Sequence, residues 1–187
     1  MENKNIIRSE DEGWESLERT LVKKAHIFDL YEERLKLPDG SETVYDMLSH
    51  KGASGVVPVL PDGRILMVRQ YRPAIHRYTL EIPAGGRDNR EEPFEEAAIR
   101  ELEEETGYKA GKLTHLVSLK TAIAFSDEQV EVFVATELYP GTANPDPEEF
   151  LAVKAYPLSE LLKYIADGVI QDAKTVSALM SYKVLCV

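Results

Sequence analysis

Gly86-Arg-Asp-Asn-Arg-Glu-Glu-Pro-Phe-Glu-Glu-Ala-Ala-Ile-Arg-Glu-Leu-Glu-Glu-Glu-Thr-Gly-Tyr108 decides the reading of this chain, because its glutamates recur at helical spacing between a start and a stop. Pro93 suits the first position of a helix, where its missing N–H costs nothing, and Gly107 suits the left-handed residue just past the end. One amphipathic helix is predicted between them. Ala98, Ile99 and Leu102 form its apolar stripe, while Glu101 and Glu105, four apart, project from one face with Glu104 beside them. Like charges so placed repel, by a few tenths of a kcal/mol per i,i+4 pair, and raise one another's pKa unless a cation sits among them. Hard divalent ions take such oxygen ligands, and Mg²⁺ in particular keeps several waters and is shared with substrate phosphates. The helix therefore predicts both a metal and phosphate chemistry.

A Glu-rich stretch is by composition usually a solvated acidic face. Here the order argues otherwise. Gly86, five residues, Glu92, seven residues, Arg100-Glu101-Leu102, one residue, Glu104-Glu105, one residue and Gly107 follow a fixed pattern. With any given residue used at roughly 5 to 10%, the seven strictly specified positions, leaving the apolar Leu102 aside, coincide by accident about once in ten million starts. The pattern matches the signature of the Nudix hydrolases, which this chain strongly resembles.

Composition limits the alternatives. A chain of 187 residues suffices for one domain with a sizeable core and a small N-terminal extension. Its net charge of −11 argues against a general binder of nucleic acid or of anionic membranes. No basic stripe interleaved with aromatics offers an RNA track. Cys186 is the single cysteine, so neither a disulfide framework nor a cysteine-type zinc site is expected, and its plain reading is a small apolar residue. The four histidines, at 26, 50, 76 and 115, have no ligand spacing. No secretory signal and no apolar run near 18 residues is found, so a cytoplasmic protein is expected.

Along the chain, residues 20–48 alternate apolar and polar on both sides of Pro38-Asp39-Gly40, predicting an antiparallel hairpin. A second pair of strands, 55–60 and 64–71, flanks Pro61-Asp62-Gly63, and 78–82 makes a short strand running into the glycines. After the glutamate helix come strands at 113–120, 129–138 and 151–156, then helices at 157–167 and 172–182, the last with Asp172 as N-cap. No repeat or low-complexity tract interrupts the order. The class is α+β, with residues 1–50 as an N-terminal β extension and 51–187 as the main domain.

Resemblance to the Nudix family implies an α/β/α sandwich with a mixed sheet. Leu80-Glu81-Ile82-Pro83-Ala84-Gly85, Val68-Arg69-Gln70-Tyr71-Arg72 and Phe125-Ser126-Asp127-Glu128 resemble the ADP-ribose pyrophosphatase branch. In that branch the N-terminal β subdomain is exchanged across a homodimer. The implied activity is hydrolysis of the diphosphate of ADP-ribose to AMP and ribose 5-phosphate, with Mg²⁺ or Mn²⁺. The alternatives are another nucleoside diphosphate sugar such as GDP-mannose, or a nucleotide-sensing module without catalysis, whose usual mark is eroded glutamates. None is eroded here.

The resemblance also implies roles. Glu101 and Glu105 would bind metal with Glu104 as ligand or neighbour, and a carbonyl of Ala84 or Gly85 would complete the shell. Gly86 fits the signature spacing, whereas the branch places the signature glycine directly after the alanine, at Gly85; an insertion around 89–92 reconciles the two. Glu149 or Glu148 would be the loop carboxylate that binds metal or acts as base. Arg100, four residues after Glu96 and four before Glu104, is expected from its spacing to pair along the helix and to orient rather than catalyse. Arg72 would clamp phosphate, since a guanidinium matches phosphate oxygens as a fork. Glu81 and Phe125 would contact substrate, and Phe28 or Tyr31 would stack on a purine. Two departures bear on substrate: Ala122-Ile123-Ala124-Phe125 lacks the branch's proline, and Tyr45 or Asp46 stands where an arginine is common.

Overall fold

The computed structural model describes residues 13–144 and 150–187. The chain divides into two units, one built from residues up to His50 together with 122–127, the other from 51–121 and 128–187.

The first unit is an antiparallel meander of β1 (Glu15–Lys24), β2 (Phe28–Lys36) and β3 (Glu42–His50), in the order β1-β2-β3. The expected hairpin is thus one strand short, because the charged alternation of residues 15–19 hides a strand that pairs Glu15 with Lys36. The β2–β3 turn forms where Pro38-Asp39-Gly40 predicted it. Asp39 closes it by accepting from both the N–H and the hydroxyl of Ser41, at 2.9 and 2.6 Å. Residues 122–127 fasten to β3 through Leu48 N–H to Phe125 O, 2.7 Å, and Asp127 accepts from His50 N–H at 2.7 Å. No described residue of this unit is fully buried.

The second unit carries the core. A mixed sheet runs β7 (Ala84–Gly86), β4 (Ala53–Pro58), β9 (Gln129–Pro140), β8 (Tyr108–Lys120), with β4 and β9 parallel. A second sheet runs β10 (Ala152–Tyr156), β5 (Ile65–Arg72), β6 (Arg77–Glu81). The expected pair of strands around Pro61-Asp62-Gly63 is therefore no hairpin, since the chain changes sheet there and only Val59 and Ile65 bridge. Local turn chemistry reads the reversal; it cannot read which sheet each arm joins.

Alternation along β9 sorts the layers. Val130, Val132 and Val134 face Met67, Ile82, Leu161 and Leu179, while Phe133 and Ala135 face Val56, Ala98 and Leu102. The mixed sheet is thus covered on one side by α1 (Phe94–Thr106) and on the other by α2 (Leu158–Ala166) and α3 (Ala173–Leu185). This is the α/β/α sandwich of an α+β chain. Ile99 lies outside the core, 45% exposed, and Ala97 takes its place beside Ala98, because the buried stripe of α1 is one residue earlier than the sequence suggests. No described helix is long and apolar enough to cross a membrane.

Candidate functional site

Both ends of α1 are fixed. Gly107 takes φ 72° and its N–H reaches Glu103 O at 2.8 Å, a left-handed cap that suits glycine. At the other end the Ser54 hydroxyl donates to Phe94 O, 2.7 Å. With Leu102 buried in the sheet, Glu101 and Glu105 are brought against β7.

β7 is an edge strand, and its register decides which backbone groups are spent. Val56 N–H bonds Pro83 O at 2.9 Å and Arg87 N–H bonds Gly52 O at 3.1 Å, with Ser54 opposite Gly85. Alternation in an antiparallel ladder then gives Gly85 to Ser54 and sends the N–H and C=O of Ala84 and Gly86 to the open edge. Their contacts agree. Ala84 N–H donates to Glu105 Oε2 at 3.0 Å, and Gly86 O accepts from Arg100 Nη2 at 2.9 Å. Of the two carbonyls left open by the sequence, Ala84 is the one directed out of the ladder beside Glu105.

Gly85 makes room for Glu101. A Cβ there would lie 2.2 Å from the Glu101 carboxylate. That carboxylate is the end of a flexible side chain, so Gly85→Ala is expected to fold while pushing Glu101 aside. A displacement on the order of 1 Å at a catalytic group costs roughly 10²-fold. Turnover should fall by that order with the unfolding temperature nearly unchanged; full activity in Gly85→Ala would show that Glu101 has no fixed role.

Arg100 gathers the charges. Its Nη1 donates to Glu101 at 2.7 Å and to Glu104 at 3.0 Å, and its Nε to Glu92 at 3.3 Å. Burial lowers the guanidinium pKa, but Glu101, Glu92 and Glu104 more than offset this and raise it above the usual value. Arg100 thus orients the acidic face, and its contact with Glu104 is the i,i+4 pair that its spacing predicts. Among the described residues no three acidic or histidine side chains form a ready cage, since Arg100 draws Glu101 and Glu104 to one nitrogen. Glu148 and Glu149 lie outside the described residues.

A second cluster sits on β5, β6 and α3. Glu81, 1% exposed, accepts from Arg72 Nε at 2.8 Å and Nη2 at 2.6 Å, from Thr79 Oγ1 at 2.6 Å and from Lys174 Nζ. Arg72 therefore turns one edge of its fork to Glu81. Its pKa is raised by that hydrogen bond first, against burial, with the charges of Glu81, Asp172 and Glu105 adding attraction. Arg72, Thr79, Glu81, Asp172 and Lys174 line a cavity of about 660 Å³.

Burial pushes the Glu81 carboxyl up, but Arg72, Lys174 and Thr79 outweigh it and bring it down to about 2 from an ordinary 4.5. A carboxylate depressed by folding contributes stability that is present above its unfolded pKa and lost as pH falls toward its folded one. Urea midpoints should therefore fall from about pH 4.5 toward pH 2, and Glu81→Gln should remove that part of the acid dependence. An identical pH profile in Glu81→Gln would contradict it.

Lys174 was missed by sequence reasoning, although a signal exists. A lysine in the first turn opposes the helix dipole, so its place two residues after the Asp172 cap calls for a tertiary partner. Asp172 caps α3 as expected, accepting from Thr175 N–H at 3.0 Å, and holds Lys174 Nζ at 3.0 Å as well. The aromatic candidates belong to the first unit. Phe28 and Phe125 are 39% and 50% exposed, and Tyr31 lies under the Arg19 guanidinium, 4.4 Å from the ring centre.

Comparison with known proteins gives a consistent picture. The NUDIX domain family matches residues 49–179. An ADP-ribose pyrophosphatase of Bacillus subtilis is 41% identical over 171 residues, covering 88% of this chain and 92% of the relative. A methanol dehydrogenase activator of Bacillus methanolicus is 35% identical over 169 residues, covering 87% and 91%. A crystal structure of an ADP compounds hydrolase matches with a TM-score of 0.80 at 28% identity, covering 91% of this chain and 92% of that one.

Proposed function

Because the chain belongs to the Nudix family and is a pyrophosphohydrolase of that kind, we propose that it cleaves ADP-ribose, with Mg²⁺, to AMP and ribose 5-phosphate. Water attacks a phosphorus, the P–O bond of the bridging oxygen breaks, and that oxygen leaves with the other phosphate. The observation that carries this reading is the pairing of an oxygen-lined edge, Glu101, Glu105 and Ala84, with a phosphate-matching guanidinium at Arg72, which is held by Glu81 three residues before Ala84. Two of the three relatives named, an ADP-ribose pyrophosphatase and an ADP compounds hydrolase, carry names that point to ADP-ribose and ADP compounds, which supports the substrate.

The donor set fits a hard divalent ion, being all carboxylate and carbonyl oxygen, with Gly85 leaving room for one carboxylate. Glu101, Glu105 and Glu104 would hold it, with the Ala84 carbonyl and Glu149. Such an ion, when bound, neutralises phosphate charge and acidifies a bound water. The chain supplies the rest. Glu149, with Glu148 next to it, takes the proton of the attacking water; Arg72 holds a phosphate oxygen; Glu81 aims Arg72.

Assay of a panel of nucleoside diphosphate sugars with Mg²⁺ tests the substrate. ADP-ribose should give the highest kcat/KM. Preference for GDP-mannose would move the assignment within the class, and preference for nucleoside triphosphates would refute it. A homodimer is also proposed, supported by the exposed Trp14, Leu21, Val22, Ile27 and Val44 of the meander. Light scattering at micromolar concentration should give twice the chain mass, and a monomer would remove the proposal.

A further inference from the structure

Lys174 stands where a lysine is poorly suited. It occupies the first turn of α3, whose dipole disfavours a cation, and its side chain is only 15% exposed. A largely buried ammonium is costly unless it is paired, so its partners carry the explanation. Nζ donates to Glu81 Oε2 and, at 3.0 Å, to Asp172 Oδ2.

That donation completes Glu81. Oε1 accepts from Arg72 Nε and Thr79 Oγ1, while Oε2 accepts from Arg72 Nη2 and Lys174 Nζ. With donors on both oxygens the plane of the carboxylate is held, and the Arg72 guanidinium laid along it is held too. Arg72 turns its Nε–Nη2 edge to Glu81, yet its side chain is 40% exposed and lines the same cavity as Lys174. The edge formed by Nη1 and the outer side of Nη2 is the one that an anion can meet.

The support under Lys174 is rigid. Asp172 Oδ2 accepts from the Thr175 N–H at 3.0 Å and from its hydroxyl at 2.6 Å, and Oγ1 of the fully buried Thr175 accepts from Ile82 N–H at 3.1 Å. Ile82 follows Glu81 in the chain. The helix start that carries Lys174 is therefore bonded to the strand end that carries Glu81. The charges also balance, Arg72 and Lys174 against Glu81 and Asp172, so a diphosphate does not meet a net negative cluster.

We propose that Lys174 is a positioning residue for substrate binding, which pins Glu81 so that Arg72 presents its outer edge to the diphosphate. The proposal rests on the reading of Arg72 as the phosphate-binding arginine. Lys174 acts through that arginine, its own ammonium being engaged by two carboxylates.

Lys174→Met keeps helix propensity, removes the cation and leaves Glu81 its bonds to Arg72 and Thr79. With the nucleotide sugar turned over fastest in the panel, KM should rise about tenfold and kcat stay within about threefold, the pattern of lost binding rather than lost chemistry. Lys174→Arg, whose fork can serve both carboxylates, should keep KM within about threefold of the parent. If Lys174→Met does not fold, Lys174→Gln, neutral and one bond shorter, takes its place with KM expected to rise in the same direction.

Combination with Arg72→Lys tests the route. Loss through Arg72 makes the two effects overlap, so the double variant should resemble Arg72→Lys alone. Effects that multiply would mean that Lys174 meets the substrate directly and would overturn the proposal. An unchanged KM in Lys174→Met would overturn it as well, leaving the lysine a structural role if the unfolding temperature falls. If Arg72→Lys raises KM and Lys174→Met does not, only the Lys174 role fails; if Arg72→Lys leaves KM unchanged, the phosphate clamp itself is misassigned.

Discussion

Glu105→Gln should lose about 10³-fold in kcat/KM while the protein still folds. The substitution keeps the shape and keeps an oxygen for the Ala84 N–H, which Glu105 Oε2 accepts at 3.0 Å, so the β7 contact survives. What it removes is a negative charge from a side chain only 4% exposed, at the place proposed for the ion. An ion at a phosphoryl centre contributes several kcal/mol, and about 4 kcal/mol corresponds to about 10³ in rate. Calorimetric titration with Mn²⁺ should show weaker binding in parallel. Native kinetics and native ion affinity in Glu105→Gln would take the metal away from α1.

Glu149→Gln should cut kcat by about 10²- to 10⁴-fold and leave KM close to the parent value, the span expected for loss of a general base. An amide cannot take the proton of the attacking water but keeps the size of the carboxylate. The pH dependence of kcat discriminates further, because the acidic limb set by the base should vanish with it. Glu148→Gln is the comparison, expected to be mild. If the two variants exchange effects, the base is Glu148; if both turn over at the parent rate, the loop carboxylate is not the base and the proton must leave by another route.

The helix was legible in the sequence because its information is local. Pro93, Gly107 and the spacing of Glu101, Glu104 and Glu105 fix start, stop and face within one element, and the structure ends α1 at Gly107 with the left-handed cap. Asp172 was legible for the same reason. The β2–β3 turn at residues 38–40 followed from turn chemistry alone. β1 was not, since its charged residues gain sense only from partners such as Glu33 and Arg34 on the next strand. Nor was the split of 55–71 between two sheets, because a turn motif records a reversal and not the neighbour across the gap.

The same division holds inside the site. Arg72 and Glu81 could be picked out singly by resemblance, but their bidentate union lies nine residues apart in sequence and depends on β5 pairing with β6. Lys174 reaches Glu81 from 93 residues away, and nothing near it in the chain names that partner.

The sequence by itself determined the reaction class, because the family signature is carried largely by one helix, where the spacing of Glu101, Glu104 and Glu105 is a property of 3.6 residues per turn. Tertiary structure alone decided which carbonyl stands at the open edge, and which arginine and which lysine a buried carboxylate holds. Those are outcomes of strand register and of burial, and both arise between segments that the chain brings together only on folding.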